Sequence, residues 1–340
     1  MQYQLSQYFY LALATFIFVG ALTPLMRKLA LKIGAVDAPN LARKSQSEPV
    51  PYFGGVAIVI GVLITTYISI FAENGDLGLA TTVLAPATVM AIMGLVDDIK
   101  SLSPWPRLIS QTIVGVIVAG ILISTKNIGT PAGIFIVDAV ITTIWIVGVC
   151  NSINFFDNLD GGAAGTVTVI SFFIFLIAYD QGQLLIGALA LVTAGATAGF
   201  LLWNKPPAKI YMGDAGALFL GIITAVLTIR LDPEIQPMWK SLSIPLLLMA
   251  VPLLDTTVAV TSRLARGISP FTGGRDHLSH RLMRKGLQRR AAAISLWALA
   301  GVYGLTAYAV FKQQSATLII LAGFTWLALY IFFIRIPHTD

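Results

Sequence analysis

Long apolar segments recur along the whole chain and are separated by short polar stretches. Each has about 20 residues, enough to cross roughly 30 Å of hydrocarbon as a helix. The apolar residues are continuous rather than alternating with polar ones, which favours helices over a membrane β-barrel. The pattern predicts an all-α polytopic membrane protein with one transmembrane domain over residues 1–340 and about 11 spans. The predicted spans are 7–26, 54–72, 79–96, 108–125, 134–151, 162–179, 183–203, 215–230, 241–262, 291–311 and 316–334.

The amino-acid composition also indicates a protein that is surrounded by lipid rather than by water. Hydrophobic residues make up 56% of the 340 residues and charged residues 11%, whereas a soluble domain has about 25% charged residues. The residues before the first span lack the basic region of a secretory signal peptide, so this span is expected to remain as a membrane helix. The single Cys150 cannot form an intramolecular disulfide.

The distribution of basic residues predicts the orientation. Of the 22 Lys and Arg residues, 18 fall in one set of loops and four in the other, and the richer set is expected to be cytoplasmic. An odd number of spans then places the N-terminus outside and the C-terminus in the cytoplasm. The net charge of +6 reflects this bias and an attraction to anionic membrane lipids; it does not indicate nucleic-acid binding.

The five predicted cytoplasmic loops each carry a cluster of polar residues, whereas the opposite loops are short. Reactive groups gathered at one face are typical of an active site rather than of a transport path. The loops are 27–53, 97–107, 152–161, 204–214 and 263–290.

Two of these loops begin with unusual carboxylate or amide clusters. Asp97 and Asp98 are adjacent at the end of a span, where like charges require a cation or deep hydration and oppose the helix dipole. A bound Mg²⁺ or Lys100 would relieve both costs; a solvated helix terminus is the alternative. Asn151, Asn154, Asp157 and Asp160 recur every three residues. This pattern predicts a stripe that holds a hard cation and a phosphorylated ligand, with a helix C-cap as the alternative.

The last two loops contain further candidates. Asp214 precedes an apolar span and is either a helix N-cap or a metal ligand. His277 and His280 lie among several arginines. Their spacing would allow zinc binding, but no cysteine accompanies them, and the basic neighbours favour recognition of a phosphate or pyrophosphate.

With these motifs the chain strongly resembles the polyprenyl-phosphate N-acetylhexosamine-1-phosphate transferase family. It is more similar to the branch that starts teichoic acid or O-antigen synthesis than to the branch that handles the MurNAc-pentapeptide precursor. The resemblance covers nearly the whole chain and rests on "DAPN..RK" with "P.P..GG" (37–55), "GLVDDIK" (94–100), "NSINFFDNLDGG" (151–162), "PAKIYMGDAG" (207–216) and "HLSHRL" (277–282).

The resemblance implies a role for each matching residue. Asp97 and Asp98 correspond to the catalytic aspartate pair, one of which deprotonates or orients the lipid phosphate. Asn154 and Asp214 correspond to positions associated with Mg²⁺, for which Mn²⁺ is an alternative. The implied substrate-binding residues are Arg107, which meets the pyrophosphate, and Asp160 and Tyr211, which hold the uracil base. Lys100 and Asp157 belong to the same polar clusters and are further substrate-binding candidates.

The last motif implies that His277 is catalytic and that His280 and Arg281 engage the sugar or its phosphates. The chain departs from the family pattern at Ser279 and at Ser45, where the family usually has histidine. These differences bear on the roles of His277 and His280 and on which sugar donor the chain uses.

The implied reaction transfers a HexNAc-1-phosphate, first of all GlcNAc-1-phosphate, from a UDP-sugar to undecaprenyl phosphate at the bacterial plasma membrane, and releases UMP. Transfer of phospho-MurNAc-pentapeptide is the alternative within the family, and both a covalent aspartyl-phosphate route and a homodimer remain open. A secondary transporter is the rival from another class, which would place ionisable groups near the bilayer midplane. Only two acidic residues, Asp138 and Asp255, fall within spans, and Asp255 is expected to line a cavity on the cytoplasmic side.

Overall fold

The computed structural model describes residues 4–37, 49–73, 75–126, 132–231 and 235–337. These residues form thirteen helices and one two-stranded antiparallel ribbon, in which Val36 of β1 lies opposite Pro51 of β2. The elements are α1 (Leu5–Ile33), β1 (Val36–Asp37), β2 (Val50–Pro51), α2 (Gly54–Glu73), α3 (Leu77–Lys100), α4 (Pro104–Ser124), α5 (Phe135–Phe156), α6 (Gly162–Asp180), α7 (Leu184–Asn204), α8 (Gly213–Arg230), α9 (Met238–Leu248), α10 (Ala250–Ala265), α11 (Leu278–Arg284), α12 (Arg289–Gln313) and α13 (Ala316–Ile334).

The predicted all-α membrane fold is confirmed. Within the described residues, ten helices are long and apolar enough to span a membrane, and the pair α9 and α10 would make an eleventh. The span around Asp138 is also helical, and its buried carboxylate accepts a hydrogen bond from the Ala132 N–H (2.8 Å) just before α5.

The ninth predicted span is not one continuous helix. α9 and α10 meet at Met249 with a bend of 73°. Pro252 lies in the first turn of α10 and has no N–H for the carbonyl of Leu248, four residues earlier, which its ring also crowds. The single helix predicted over 241–262 is therefore wrong at this point.

Alternation of the helices brings the polar loops to one end of the bundle. α1, α3, α5, α7 and α10 finish at this end, and α2, α4, α6, α8 and α12 begin there. We call it the polar end. The start of α1 and the turn between α12 and α13 lie at the opposite end, where the Lys312 ammonium pairs with Asp180 at 2.6 Å.

α8 is the central helix of the bundle. It has the lowest mean hydropathy among the candidate spans of the described chain, yet 83% of its residues are buried. α3 and α5 pack along it most extensively. Close packing depends on Gly221, where a Cβ would lie 2.7 Å from the Cα of Cys150.

Candidate active site

A cavity of about 510 Å³ opens at the polar end. Its lining comes from segments that are up to about 250 residues apart in sequence, which only the alternation of the helices brings together. Seven predicted site residues line it: Asp98, Asn154, Asp157, Asp160, Tyr211, Asp214 and His280.

Asp98 fixes the start of α8. Its carboxylate accepts hydrogen bonds from the backbone N–H groups of Asp214 (2.8 Å) and Ala215 (3.2 Å), which have no partners inside their own helix. Gly213 allows this approach with a φ of 72°, since a Cβ there would lie 2.6 Å from an Asp98 oxygen. The N-cap alternative for Asp214 is therefore wrong: Asp98 from α3 caps α8, and the Asp214 side chain is used elsewhere.

Two further glycines bring backbone against backbone around this helix start. A Cβ on Gly94 of α3 would lie 2.4 Å from the carbonyl carbon and oxygen of Asp214. A Cβ on Gly55 of α2 would lie 2.2 Å from the nitrogen of Gly216, and the Gly55 N–H donates to the Met212 carbonyl at 2.8 Å. The glycines in "GLVDDIK" and "P.P..GG" thus place α2 and α3 directly on the start of α8.

The Asp214 carboxylate connects three helices. One oxygen accepts from Nδ2 of Asn154 on α5 (2.7 Å) and the other from Nη1 of Arg107 on α4 (2.9 Å). The same Nη1 lies 2.9 Å from Asp97, whose other oxygen accepts from the Leu102 N–H. Asp97 is 6% exposed, and neither Asp97 nor Arg107 is among the lining residues found in the described chain.

The cavity has an excess of negative charge. Five aspartates line it, including Asp37. Burial and the charges of Asp214, Asp98 and Asp160 raise the pKa of Asp157 to about 8. Burial and the neighbouring Asp37 raise the pKa of Tyr52 to about 12. Such a surface is electrostatically suited to a cation or to the donor groups of a ligand.

The oxygen donors fit Mg²⁺ when it is shared with a substrate. Among the described residues, no three His, Cys, Asp or Glu side chains converge as a metal cage. Mg²⁺, however, typically uses one or two carboxylates together with substrate phosphates. The Asp214 carboxylate and the amide oxygen of Asn154, whose Nδ2 donates to that carboxylate, are donors of the kind that such a partial ligand set uses.

Asp160, in the loop between α5 and α6, reaches the loop between α7 and α8, in which Tyr211 lies. Asp160 accepts a hydrogen bond from the Ala208 N–H at 3.0 Å. The backbone of Tyr211 donates to the carbonyl of Pro51 (2.9 Å) and accepts from the Gly54 N–H (3.0 Å). Lys100, by contrast, is exposed at the end of α3 and is not among the lining residues found in the described chain.

The two histidines of the last motif have different environments. His277 Nδ1 lies 2.7 Å from an Asp255 oxygen, and its Nε2 lies 3.1 Å from Arg263. His280 lines the cavity, where burial and then the His277 charge lower its pKa to about 4, so it is neutral at pH 7. The catalytic role of His277 stays a prediction.

Asp255 does not line a cavity as expected. It is fully buried, and both carboxylate oxygens are occupied, one by His277 and the other by the Leu278 N–H at 2.7 Å. The expectation is wrong because the start of α11 folds over this carboxylate and satisfies it. Asp255 therefore holds α11 against α10.

Arg281 is also buried and does not reach the cavity lining. Its guanidinium donates to the carbonyls of Asp276 (2.8 Å), Phe333 (2.7 Å) and Ile336 (2.6 Å). The carbonyls of Phe333 and Ile336 lie at the end of α13 and just after it. In place of the expected contact with sugar or phosphate, Arg281 joins α11 to the last span.

Several lining residues were not predicted. Arg289, the first residue of α12, brings a positive charge to the cavity; a basic residue just after the histidine motif and before an apolar span could have indicated it. Asn204 accepts from the Gly161 N–H (2.9 Å) and donates to the Ile210 carbonyl (2.9 Å). Most of the first motif, residues 38–48, lies outside the described residues.

Comparisons with known proteins identify the family of the chain. The family model for glycosyl transferase family 4 matches residues 80–232. The chain is 32% identical over 324 residues to a probable undecaprenyl-phosphate N-acetylglucosaminyl 1-phosphate transferase of Bacillus subtilis, covering 93% of this chain and 85% of the relative. It is 30% identical to a decaprenyl-phosphate N-acetylglucosaminephosphotransferase of Mycolicibacterium smegmatis (82% and 75% covered) and 26% identical to an Escherichia coli undecaprenyl-phosphate alpha-N-acetylglucosaminyl 1-phosphate transferase (92% and 88%). The relatives match this chain over most of their length, and the chain has a carboxylate-lined cavity at one end of a helical membrane bundle. The chain therefore belongs to glycosyl transferase family 4 and is a polyprenyl-phosphate hexosamine-1-phosphate transferase.

Proposed function

We propose that the chain transfers GlcNAc-1-phosphate from UDP-GlcNAc to undecaprenyl phosphate, releases UMP and so starts a cell-envelope glycan. The observation that carries the proposal is the position of Asp214, bound to Arg107 and Asn154 in a cavity lined by aspartates. The names of the relatives from B. subtilis and E. coli, which specify undecaprenyl phosphate and N-acetylglucosamine, support this acceptor and this sugar.

In the proposed reaction an oxygen of the lipid phosphate attacks the β-phosphorus of the UDP-sugar. One P–O bond forms, and the P–O bond to UMP breaks. Because both reactants are anionic, positioning and charge neutralisation dominate catalysis. Arg107 supplies a positive charge beside Asp214, and Arg289 supplies a second one at the cavity wall.

The paired aspartates have distinct proposed roles. Asp98 faces the cavity and retains acceptor capacity beyond its two backbone bonds, so we propose that it accepts the remaining proton of the lipid phosphate. Asp97 acts through Arg107 as a positioning residue. Asp214 and Asn154 would hold Mg²⁺, or Mn²⁺ in its place, and the bound cation would neutralise charge on the pyrophosphate.

The proposed location is the bacterial plasma membrane with the cavity facing the cytoplasm, where UDP-sugars are made. The bias of 18 basic residues among 22 toward the loops of the polar end supports this orientation. Sealed membrane vesicles test it directly. Added UDP-GlcNAc should react in inside-out vesicles and not in right-side-out vesicles, and the reverse result would overturn the orientation.

Purified protein in detergent tests the reaction itself. UMP should be released from UDP-GlcNAc only when undecaprenyl phosphate is present, and EDTA should stop the release until Mg²⁺ is restored. UDP-MurNAc-pentapeptide, offered in the same assay, should be a poor donor. Preference for that donor, or UMP release without lipid acceptor, would contradict the proposal.

Tyr211 provides a test of the donor position. Tyr211→Ala should raise the KM for UDP-GlcNAc about tenfold, within the range for loss of one aromatic–base stack, and lower kcat less. The stacked base is remote from the reacting phosphorus, so its loss removes mainly uniform binding.

The matched variant is Tyr211→Phe, which keeps the ring and should keep the KM near the wild-type value. An unchanged KM with a collapsed kcat in Tyr211→Ala would remove Tyr211 from the uracil site.

A further inference from the structure

A second cavity, of about 430 Å³, lies at the polar end on the outer side of α13. It shares no lining residue with the aspartate-lined cavity, as far as the described chain extends. Its lining residues are Lys285, Ala328, Ile331, Phe332, Arg335 and Ile336.

The polar part of this cavity is cationic. Lys285 follows α11 and Arg335 follows α13, and both residues are exposed. In the portion of the chain that the structure describes, neither side chain makes an ion pair or a hydrogen bond with a protein group. No carboxylate is among the lining residues named above, so within the described residues two positive charges face one cavity without an acidic lining partner.

The rest of the cavity is apolar and faces the membrane. Ile331 is 39% exposed and Phe332 is 50% exposed, although both belong to a membrane-spanning helix. Only 11% of the most apolar stretch of α13 is buried, so lipid chains must cover this surface. A ligand suited to the cavity therefore has an anionic head and an apolar tail.

We propose that this cavity binds an anionic phospholipid from the surrounding leaflet, with its phosphate between Lys285 and Arg335 and an acyl chain along Ile331 and Phe332. Charge complementarity selects an anionic lipid, because each basic residue near a membrane surface adds to the attraction for anionic lipids. The separate lining argues against the acceptor lipid as the occupant, since its phosphate must reach the aspartate-lined cavity.

The bound lipid would reinforce a contact that matters to the active site. Arg281 already ties α11 to the carbonyls at the end of α13, and His280 of the same short helix lines the aspartate-lined cavity. A phosphate between Lys285 and Arg335 adds a bridge between these two helices. The site does not depend on the proposed sugar donor or acceptor, and its test uses no transfer reaction.

The test measures lipid retention by the full-length protein in nanodiscs of phosphatidylcholine with a minor fraction of phosphatidylglycerol, followed by native mass spectrometry. The wild type should retain phosphatidylglycerol in preference to phosphatidylcholine and should have a higher Tm when phosphatidylglycerol is present, because a ligand of the native state stabilises it. Lys285→Gln and Arg335→Gln should each weaken retention about fivefold, and the double variant should lose the Tm increase.

Lys28→Gln with Lys32→Gln is the matched control, because it removes two exposed cations from α1 at the same end of the bundle. Retention and the Tm increase should survive in this control. An equal loss of lipid retention in the control would show that retention follows the general surface charge, and it would overturn the site. Undiminished retention in Lys285→Gln/Arg335→Gln would overturn it too. Displacement of the lipid by inorganic phosphate, or selective retention of undecaprenyl phosphate at this position, would also overturn the proposed occupant.

Discussion

Asp214→Asn is expected to lower kcat by roughly 10²- to 10³-fold, the range for loss of one preorganised electrostatic group at a reacting centre. The substitution keeps the size of the side chain but removes the charge that Arg107 and Asn154 both contact. Stability should change little, because the cap of α8 is provided by Asp98 and not by Asp214. UMP release at saturating UDP-GlcNAc and thermal unfolding of the same preparation measure the two effects.

Asp76→Ala is the matched control at the opposite end of the bundle. Asp76 caps α3 by accepting the Leu79 N–H at 2.9 Å, and loss of such a cap costs about 1 kcal/mol of stability. This variant should have a lower Tm and an unchanged kcat. If Asp214→Asn behaved in the same way, its carboxylate would have only a structural function and the proposed metal ligand would be wrong.

Gly94→Ala should be nearly as damaging, although Gly94 has no side chain to take part in chemistry. The new Cβ would lie 2.4 Å from the carbonyl of Asp214, so α3 and α8 must move apart. Overpacking of this kind costs about 1–3 kcal/mol, and displacement of a catalytic group by about 1 Å costs about 10² in rate. Both kcat and Tm should therefore fall.

Gly148→Ala on α5 is the comparison, since a Cβ there meets nothing within 4 Å. It should keep kcat and gain up to about 1 kcal/mol from the better helix propensity of alanine. Wild-type activity in Gly94→Ala would mean that the carboxylates of α3 and α8 work without their close backbone contact.

The membrane spans were predictable because length and apolarity alone determine whether a helix crosses a bilayer. The predicted span 316–334 coincides with α13, and 54–72 differs from α2 by one residue. The carboxylates of the site were also predictable, because polar groups at the end of an apolar segment need a specific partner. The 73° bend at Met249 was missed although Pro252 indicated it, because the composition of the segment remains that of one continuous span.

Partners distant in sequence could not be predicted. Asp98 caps a helix that begins 115 residues later, and Arg281 reaches carbonyls more than 50 residues away. A backbone N–H or carbonyl has no signature in the sequence, so its partner depends on the packing of the helices. For this reason Arg281 and Asp255 were expected at substrate or at a cavity, whereas the fold uses both of them to hold α11.

The central position of α8 bears on how the chain is assembled during synthesis. α8 is the least apolar of the candidate spans and among the described helices the most enclosed, so contacts with protein must favour its integration more than contacts with lipid. Its neighbours α2, α3 and α5 all precede it in the chain. These three helices are therefore in the membrane before α8 leaves the ribosome. The order of translation thus provides the protein surfaces against which α8 packs as it inserts.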